Sequence, residues 1–484
     1  MLKLVSLLLL LAGSASAAFC PTQPITSITL GGNLPNGAAN LTAVPQGTNC
    51  TFVFDIPNNY NLKLNFNAQA GSNADRVVIY DNNYQPLYTL KMSTTPVYNA
   101  HINLPARAAS VRVEGVSGNM RFMLSYTYNK MNNYKQITKR TGESFPLSTV
   151  AVNTYVTITA SSANEKVILS PAVRAGASDN TLTLLYVFDG DNINTANVMG
   201  RLSDFSDVKI SSGRSVSIVN FQGVVSSSWA LGNDASTLSG FSKYTVILTS
   251  LGSSVGGNMT DLSGSPNGAA YTYICTDCST FYWTDLTFDS FSTIANKAYV
   301  SFQGQTPTHK REKLIKYDAQ TVTSSSFPQL IPTNVFTVNL YMGRAVFRVN
   351  NINDDTSWRK PFVGRKGYII APILWGATSN NFNYEFRDDS KWYNFQVNMN
   401  KMSFPASSDQ MTLKIGPKSG SLTLNNQYPR DQSSTNRVTS NGNYMQVGLA
   451  ASVAADVRLS FEMQSSASAV GILSAVVLAA FYTL

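Results

Sequence analysis

The chain has 484 residues, of which 43% are hydrophobic, 11% aromatic and 13% charged, with a formal net charge of +9. That length allows roughly three or four ordinary domains. Ordinary apolar content with low charge excludes a disordered tail protein, and long apolar runs confined to the two ends exclude a multi-spanning membrane protein. The two histidines leave little room for a His-based metal site or catalytic triad.

Met1-Leu2-Lys3, the apolar run Leu4 to Leu11 and Ala15-Ser16-Ala17 give the basic start, short apolar stretch and A-x-A site of a secretory signal peptide at residues 1–17. Cleavage there leaves Ala18-Phe19-Cys20 at the mature start and, with Lys3 gone, a net charge of +9 less one, or +8. Secretion makes Asn40-Leu41-Thr42, Asn49-Cys50-Thr51 and Asn258-Met259-Thr260 candidate N-glycosylation sites on surface loops.

Period-2 alternation recurs and helical periodicity is nearly absent, which predicts an all-β chain. Phe52, Phe54 and Ile56 share one strand face, and Asn61–Phe66 alternates without error. Phe122, Leu124, Tyr126 and Tyr128 mark a strand before the basic stretch Lys130, Lys135, Lys139 and Arg140. Val216 and Ile218, then Val246 and Leu248, then Tyr393–Asn400, then Met411, Leu413 and Ile415 mark more. Alternation of this kind puts one set of side chains in a core and the other in water. Many short strands between turn signals read as β-sandwiches.

Val457–Met463 is followed by small and polar residues through Ser468, then by an uncharged stretch from Ala469 to Leu484. Small residues before a terminal apolar tail form the pattern of a GPI-anchor signal. A spanning helix would want about 20 apolar residues and a basic cytoplasmic flank. The attachment position falls at Ser465 or Ser466, and the polar spacer is shorter than the usual ~8–12 residues.

An even number of cysteines in an oxidising compartment points to disulfides. The simplest pairing of the four is Cys20–Cys50 and Cys275–Cys278. The first bond stabilises by about 3 kcal/mol in the chain-entropy model. Redox chemistry at Cys275-Thr276-Asp277-Cys278 would need a βαβ setting, and zinc would need two more ligands; neither is nearby.

Several residues carry a family resemblance. Cys20-Pro21 opens the module, Cys50-Thr51-Phe52-Val53-Phe54-Asp55-Ile56-Pro57 is like a Cys-x-(aromatic/aliphatic)-x-Ile-x-x-Pro pattern with Phe54 at the Ile position, and Asp75-Arg76-Val77-Val78-Ile79-Tyr80-Asp81 matches D-x-V-x-I-Y-D. With these, the first quarter resembles an extracellular CUB domain, and most closely the divergent CUB-like modules of nematode secreted proteins. Leu185–Gly190, Leu314–Asp318 and Gly367–Pro372 are weaker echoes. The resemblance implies tandem CUB-like jelly-roll β-sandwiches, a binding rather than catalytic role, and a part in defence at epithelial surfaces. The chain then divides into the signal peptide, 18–130, 131–253, 254–355, 356–464 and the anchor signal 465–484.

Some CUB domains hold calcium through three acidic side chains. The matching positions here are Asp75 and Asp55, and the usual upstream glutamate is missing. Two carboxylates make at best a weak site, so Asp75 and Asp81 are expected to cap turns, with no metal and no cofactor. His101 and His309 are the only histidines, and a lone His is more often a surface or packed residue than a catalytic one. Adjacent carboxylates such as Asp354-Asp355 and Asp388-Asp389 point to opposite faces of a strand. Further basic groups at Lys310–Lys316 and at Trp358–Lys366 read as solvated surface rather than an anion-binding patch. Of the aromatics that stack on sugars, Tyr84, Trp229, Tyr282, Trp283 and Trp358, core packing is the expected fate.

The expectation is a non-enzymatic recognition protein on the extracellular face of the plasma membrane, GPI-anchored and also released. It would bind a glycan or protein, contact the membrane through lipid and bind no nucleic acid. The competing readings are a structural coat glycoprotein of an epithelial or cuticular surface, and a hydrolase with an unrecognised site.

Overall fold

The structure, a computed structural model, describes residues 19–466 except 82–83, 85, 92–96, 207, 291, 293–296, 310–311, 353–354 and 430–435. The segment expected to be a signal peptide, 1–17, and the stretch after 466 lie outside the described residues. Strands make up 55% of the described residues, and the fold is all-β, as the alternation predicts. It forms two compact units, Met1–Pro171 with Asp179–Gly232, and Ala172–Ser178 with Asn233–Leu484.

In the first unit, β1 (Gly31–Leu34), β2 (Thr42–Ala43), β3 (Thr48–Gln69), β4 (Arg76–Tyr80), β5 (Pro86–Lys91), β6 (Val97–Gly115) and β7 (Arg121–Lys130) form one seven-stranded sheet. Its order is β1-β7-β3-β6-β4-β5, with β2 also on β7. Phe52, Phe54, Ile56, Leu62, Leu64 and Phe66 on β3 are all at most 1% exposed. Phe52 stacks on Phe122 at 5.9 Å, and Phe54 meets Tyr126 edge-on at 5.5 Å. Pro57 does not end the strand. Against β6 the register shifts between Ile56↔Arg107 and Asn61↔Pro105, while Tyr60 already pairs with Lys130 on β7, so the two expected strands are one bulged strand.

The same unit continues through β8 (Lys135–Arg140), β9 (Ser144–Pro146), β10 (Thr154–Thr159), β11 (Val167–Arg174) as far as Pro171, β12 (Leu185–Asp189), β13 (Asn197–Arg201), β14 (Ser215–Asn220) and β15 (Trp229–Asp234) as far as Gly232. Five of these form the sheet β13-β12-β14-β10-β8. The basic stretch read as a polar join is therefore partly a strand. β8 runs parallel to β10 at the sheet edge, where lysines discourage unwanted pairing.

The second unit holds β16 (Lys243–Thr249), β17 (Ser254–Asp261), β18 (Ala269–Cys275), β19 (Phe281–Phe288), β20 (Tyr299–Gly304), β21 (Lys313–Asp318), β22 (Gln329–Ile331), β23 (Val335–Tyr341) and β24 (Gly343–Asn350). The run β21-β20-β23-β18-β16 packs against β17-β24-β19-β22. Trp283 sits at the centre of that core, 4.8 Å from Phe302 and 5.1 Å from Phe347. β25 (Lys366–Ile370), β26 (Phe382–Arg387), β27 (Tyr393–Ser403), β28 (Gln410–Gly416), β29 (Leu424–Pro429), β30 (Arg437–Gly442), β31 (Tyr444–Ala450) and β32 (Asp456–Ser465) complete the unit. They build a second sandwich, β25-β32-β27-β30 on β26-β31-β28-β29. Phe395, Val397 and Phe461 meet Met411, Leu413 and Ile415 there, the face alternation predicts.

Candidate functional site

Asp75 lies just before β4 and is 1% exposed. Its carboxylate accepts from the backbone N–H of Gly71 (2.8 Å), Ser72 (2.9 Å), Val116 (2.7 Å) and Ser117 (2.9 Å), and from the Ser117 hydroxyl at 2.6 Å. Burial opposes the charge. The Ser117 and backbone hydrogen bonds outweigh it and hold the pKa at about 2. Gly71 fits because a Cβ there would lie 2.6 Å from the Asn119 Cβ. Asp75 thus ties two loops at one end of the module, the capping role expected of it. Asp55 is exposed on β3, and among the described residues no three acidic, His or Cys side chains gather as a metal cluster.

The outward face of the same sheet carries a polar ladder. Lys63 pairs with Asn103 and Thr127, and Asn65 with His101 and Ser125. Alternation assigns this face to water, yet Asn61 is 2% and Asn103 6% exposed. The cover comes from segments that flank strands of the unit's other sheet, at Tyr134 before β8 and Phe221–Gln222 after β14. Asn103 Nδ2 donates to the Phe221 carbonyl (3.3 Å) and to Gln222 Oε1 (2.8 Å). Asn129 Nδ2 donates to Asn61 Oδ1 (3.3 Å), and Asn61 Nδ2 to the Tyr134 hydroxyl (3.2 Å). Burial raises the Tyr134 pKa, against that hydrogen bond, so the phenol stays neutral.

Above this floor opens a cleft of about 430 Å³, with Lys63, His101 and Lys130 among its lining residues and no carboxylate. That size is within the range of small-molecule sites. Its amides and hydroxyl offer donors and acceptors, and its two lysines favour an electron-rich ligand. The sequence reading missed it, because its members come from β3, β6, β7 and three later segments, at Tyr134, Val152–Asn153 and Phe221–Gln222. The available signal was the run of Asn and Lys at the polar positions of β3 and β6.

The cysteines pair as Cys20–Cys50 and Cys275–Cys278, with Cα atoms 5.4 and 5.6 Å apart. Asn40, Asn49 and Asn258 are all exposed. Asn49 lies in β3 and accepts from Arg112 at 3.0 Å, and Asn258 lies on the edge strand β17, so neither sits in the expected loop. Ser465 is exposed at the end of β32 and Ser466 follows it. Trp283 and Trp358 are core residues at 0% and 1% exposure, whereas Tyr84 is exposed. Asp388 accepts from the Tyr393 hydroxyl at 2.6 Å, while Asp389 pairs with Arg387. The neighbouring carboxylates are thus committed to different partners, and Asp354 lies outside the described residues.

The basic groups do not gather either. Lys310 and Arg311 lie outside the described residues, Lys316 pairs with Asp318 at 2.5 Å and Arg359 with Asp355 at 2.5 Å. Arg365 departs from the expected solvated surface. It is 0% exposed and donates to the carbonyls of Lys366, Pro328 and Trp358. Burial lowers its pKa to about 10.

Residues 15–132 match the family model of the CUB-like domain. Domains of that family are often extracellular, act in recognition or binding, and are typically non-catalytic. No curated protein sequence matches the chain. Solved structures with partial likeness include the CUB1-EGF-CUB2 domain of human MASP-1/3, at 12% identity over 43% of this chain and 100% of that one, TM-score 0.18. The full extracellular region of zebrafish Gpr126/Adgrg6 shares 10% identity over 69% of this chain and 53% of that one, TM-score 0.19. The Sulfolobus turreted icosahedral virus structure shares 7% over 89% of each, TM-score 0.16. TM-scores this low define no common arrangement for the whole chain. No helix among the described residues is long and apolar enough to cross a membrane.

Proposed function

We propose that this is a non-enzymatic recognition protein held on the extracellular face of the plasma membrane by a GPI lipid and also released, with a glycan or protein as its ligand. The observation that carries the reading is the CUB-like match over residues 15–132. The paired cysteines fit an oxidising compartment. The cleft lined by Lys63, His101 and Lys130 supplies a surface for the contact. Membership of the nematode-type branch, N-glycosylation at Asn40, Asn49 and Asn258, lipid attachment at Ser465 or Ser466, and a role in epithelial innate defence belong to this proposal. So does the finer division of the chain at residues 130, 253 and 355. Nucleic acid has no part in it.

The test is attachment of the purified full chain to immobilised extracellular glycans and surface proteins, for the native sequence and for Lys63→Glu with Lys130→Glu. Saturable attachment that the double variant loses is the expected result. Attachment proportional to protein load, indifferent to the cleft, would favour a coat glycoprotein instead.

A further inference from the structure

The second unit buries an unusual polar layer. Face alternation on β18, β23 and β20 places Phe336, Val338, Leu340, Val300 and Phe302 in the sandwich core. The opposite face carries Thr272, Thr337, Ser301, Asn339 and Gln303, which would read from sequence as wetted. All five are instead at most 8% exposed. Most of the layer is satisfied. Tyr244 donates to Thr272 (2.9 Å), Thr272 and Thr337 share a hydrogen bond (2.8 Å), and Thr337 donates to the Gln305 carbonyl (2.7 Å).

Two members are not. Ser301 and Asn339 sit opposite each other on β20 and β23. Ser301 Oγ and Asn339 Oδ1 are buried without a protein hydrogen-bond partner. Asn339 Nδ2 reaches only Gln303 Oε1, at 3.5 Å. Exchanging the amide oxygen and nitrogen would merely replace an orphaned acceptor with an orphaned donor. Orphaned polar atoms are costly unless something outside the protein pairs them.

Of the two, Asn339 borders a space that a ligand can occupy, and Ser301 lies behind it. Asn339 and Gln303 line a cleft of about 380 Å³, walled by Phe241, Pro266 and Pro307, with Asn267 beside them. Apolar ring surface beside the Asn339 amide, whose oxygen has no protein partner, fits a molecule with one C–H face and several hydroxyls. The charges at the rim are already engaged. Glu312 pairs with Arg458 at 2.6 Å, and Lys313 donates to the Tyr299 hydroxyl at 3.0 Å. Among the described rim residues, Glu312 is thus neutralised by a counter-charge, while Lys313 keeps its charge beside a neutral phenol.

We propose that this cleft binds a neutral saccharide, with the sugar's apolar face on Phe241 and Pro266 and its hydroxyls or acetamido group on Asn339 and Gln303. The assignment deepens the recognition reading and rests on it. It places a second, chemically distinct contact outside the CUB-like segment.

The test is saturation-transfer NMR of the purified full chain with glucose, galactose, mannose, N-acetylglucosamine and N-acetylgalactosamine, and glucuronic acid as the charged comparison. At least one neutral sugar should bind saturably at millimolar concentration. Asn339→Leu, which fills the same space without polar atoms, and Phe241→Ala should each weaken binding about tenfold or more. Two variants on different walls keep the result readable if one misfolds. No saturable neutral sugar, binding indifferent to both variants, or equal binding of glucuronic acid overturns the proposal. If the panel is silent but attachment through the Lys63/Lys130 cleft persists, the saccharide assignment falls and the recognition reading stands. If both are silent, both fall.

Discussion

Replacing Asp75 with Asn keeps the side chain's size and removes its charge from a 1% exposed site with five donors. The folded protein holds this carboxyl at about 2 against an ordinary 3.8, a difference worth about 2 kcal/mol of stability at neutral pH. The Asn amide also turns an N–H₂ toward N–H donors, so the total loss should be about 2–4 kcal/mol. The sign of the pH dependence follows from the depressed pKa. The contribution is fully present above about pH 5 and disappears as pH falls from about 4 towards 2. Amide hydrogen exchange at Gly71, Ser72, Val116 and Ser117 is the suitable assay, since a chain of several sandwiches need not unfold in one step. These amides should exchange faster in D75N at pH 7, and the difference should shrink on acidification. A variant within about 0.5 kcal/mol of the native protein, or a gap that ignores pH, would refute the loop-tie account. Stabilisation of the native protein but not of D75N by calcium would make Asp75 a metal ligand instead.

Other perturbations test separate parts of the account. Cys50→Ser opens a bond between residues 30 apart, which should cost about 3–4 kcal/mol in the chain-entropy model, read as a lower denaturant midpoint for the first unit. Arg365→Ala removes a buried guanidinium and strands three carbonyls, and a loss of about 3–5 kcal/mol is expected in thermal unfolding of the second unit; a change under 1 kcal/mol would show that the guanidinium is not holding those carbonyls. Protein secreted from cells should lose mass in three steps as Asn40, Asn49 and Asn258 are changed singly to Gln, and an unchanged mass at any position removes that site.

Much of this fold is legible in the sequence because alternation is a local signal. Phe52-x-Phe54-x-Ile56 and Met411-x-Leu413-x-Ile415 name their own buried faces, and the Asp75–Asp81 motif locates β4. What period-2 patterning does not say is what covers the opposite face. Asn61, Asn103 and Asn339 occupy positions that alternation gives to water, and packing from distant segments buries them. Both clefts arise from this second layer, which is why no motif marks them. Asp75 was legible as a turn residue, but its partners at Val116 and Ser117 lie about forty residues away. Arg365 sits in a run of basic and aromatic residues that reads as surface. Its burial depends on carbonyls from Pro328 and Trp358 that no local pattern reveals.

The central claim is surface display through a lipid, and the most direct measurement is treatment of cells expressing the full chain with a phosphatidylinositol-specific phospholipase. The account predicts surface staining before treatment and release of the protein into the medium after it. Retention on the treated surface, or complete secretion without any surface stage, would contradict it.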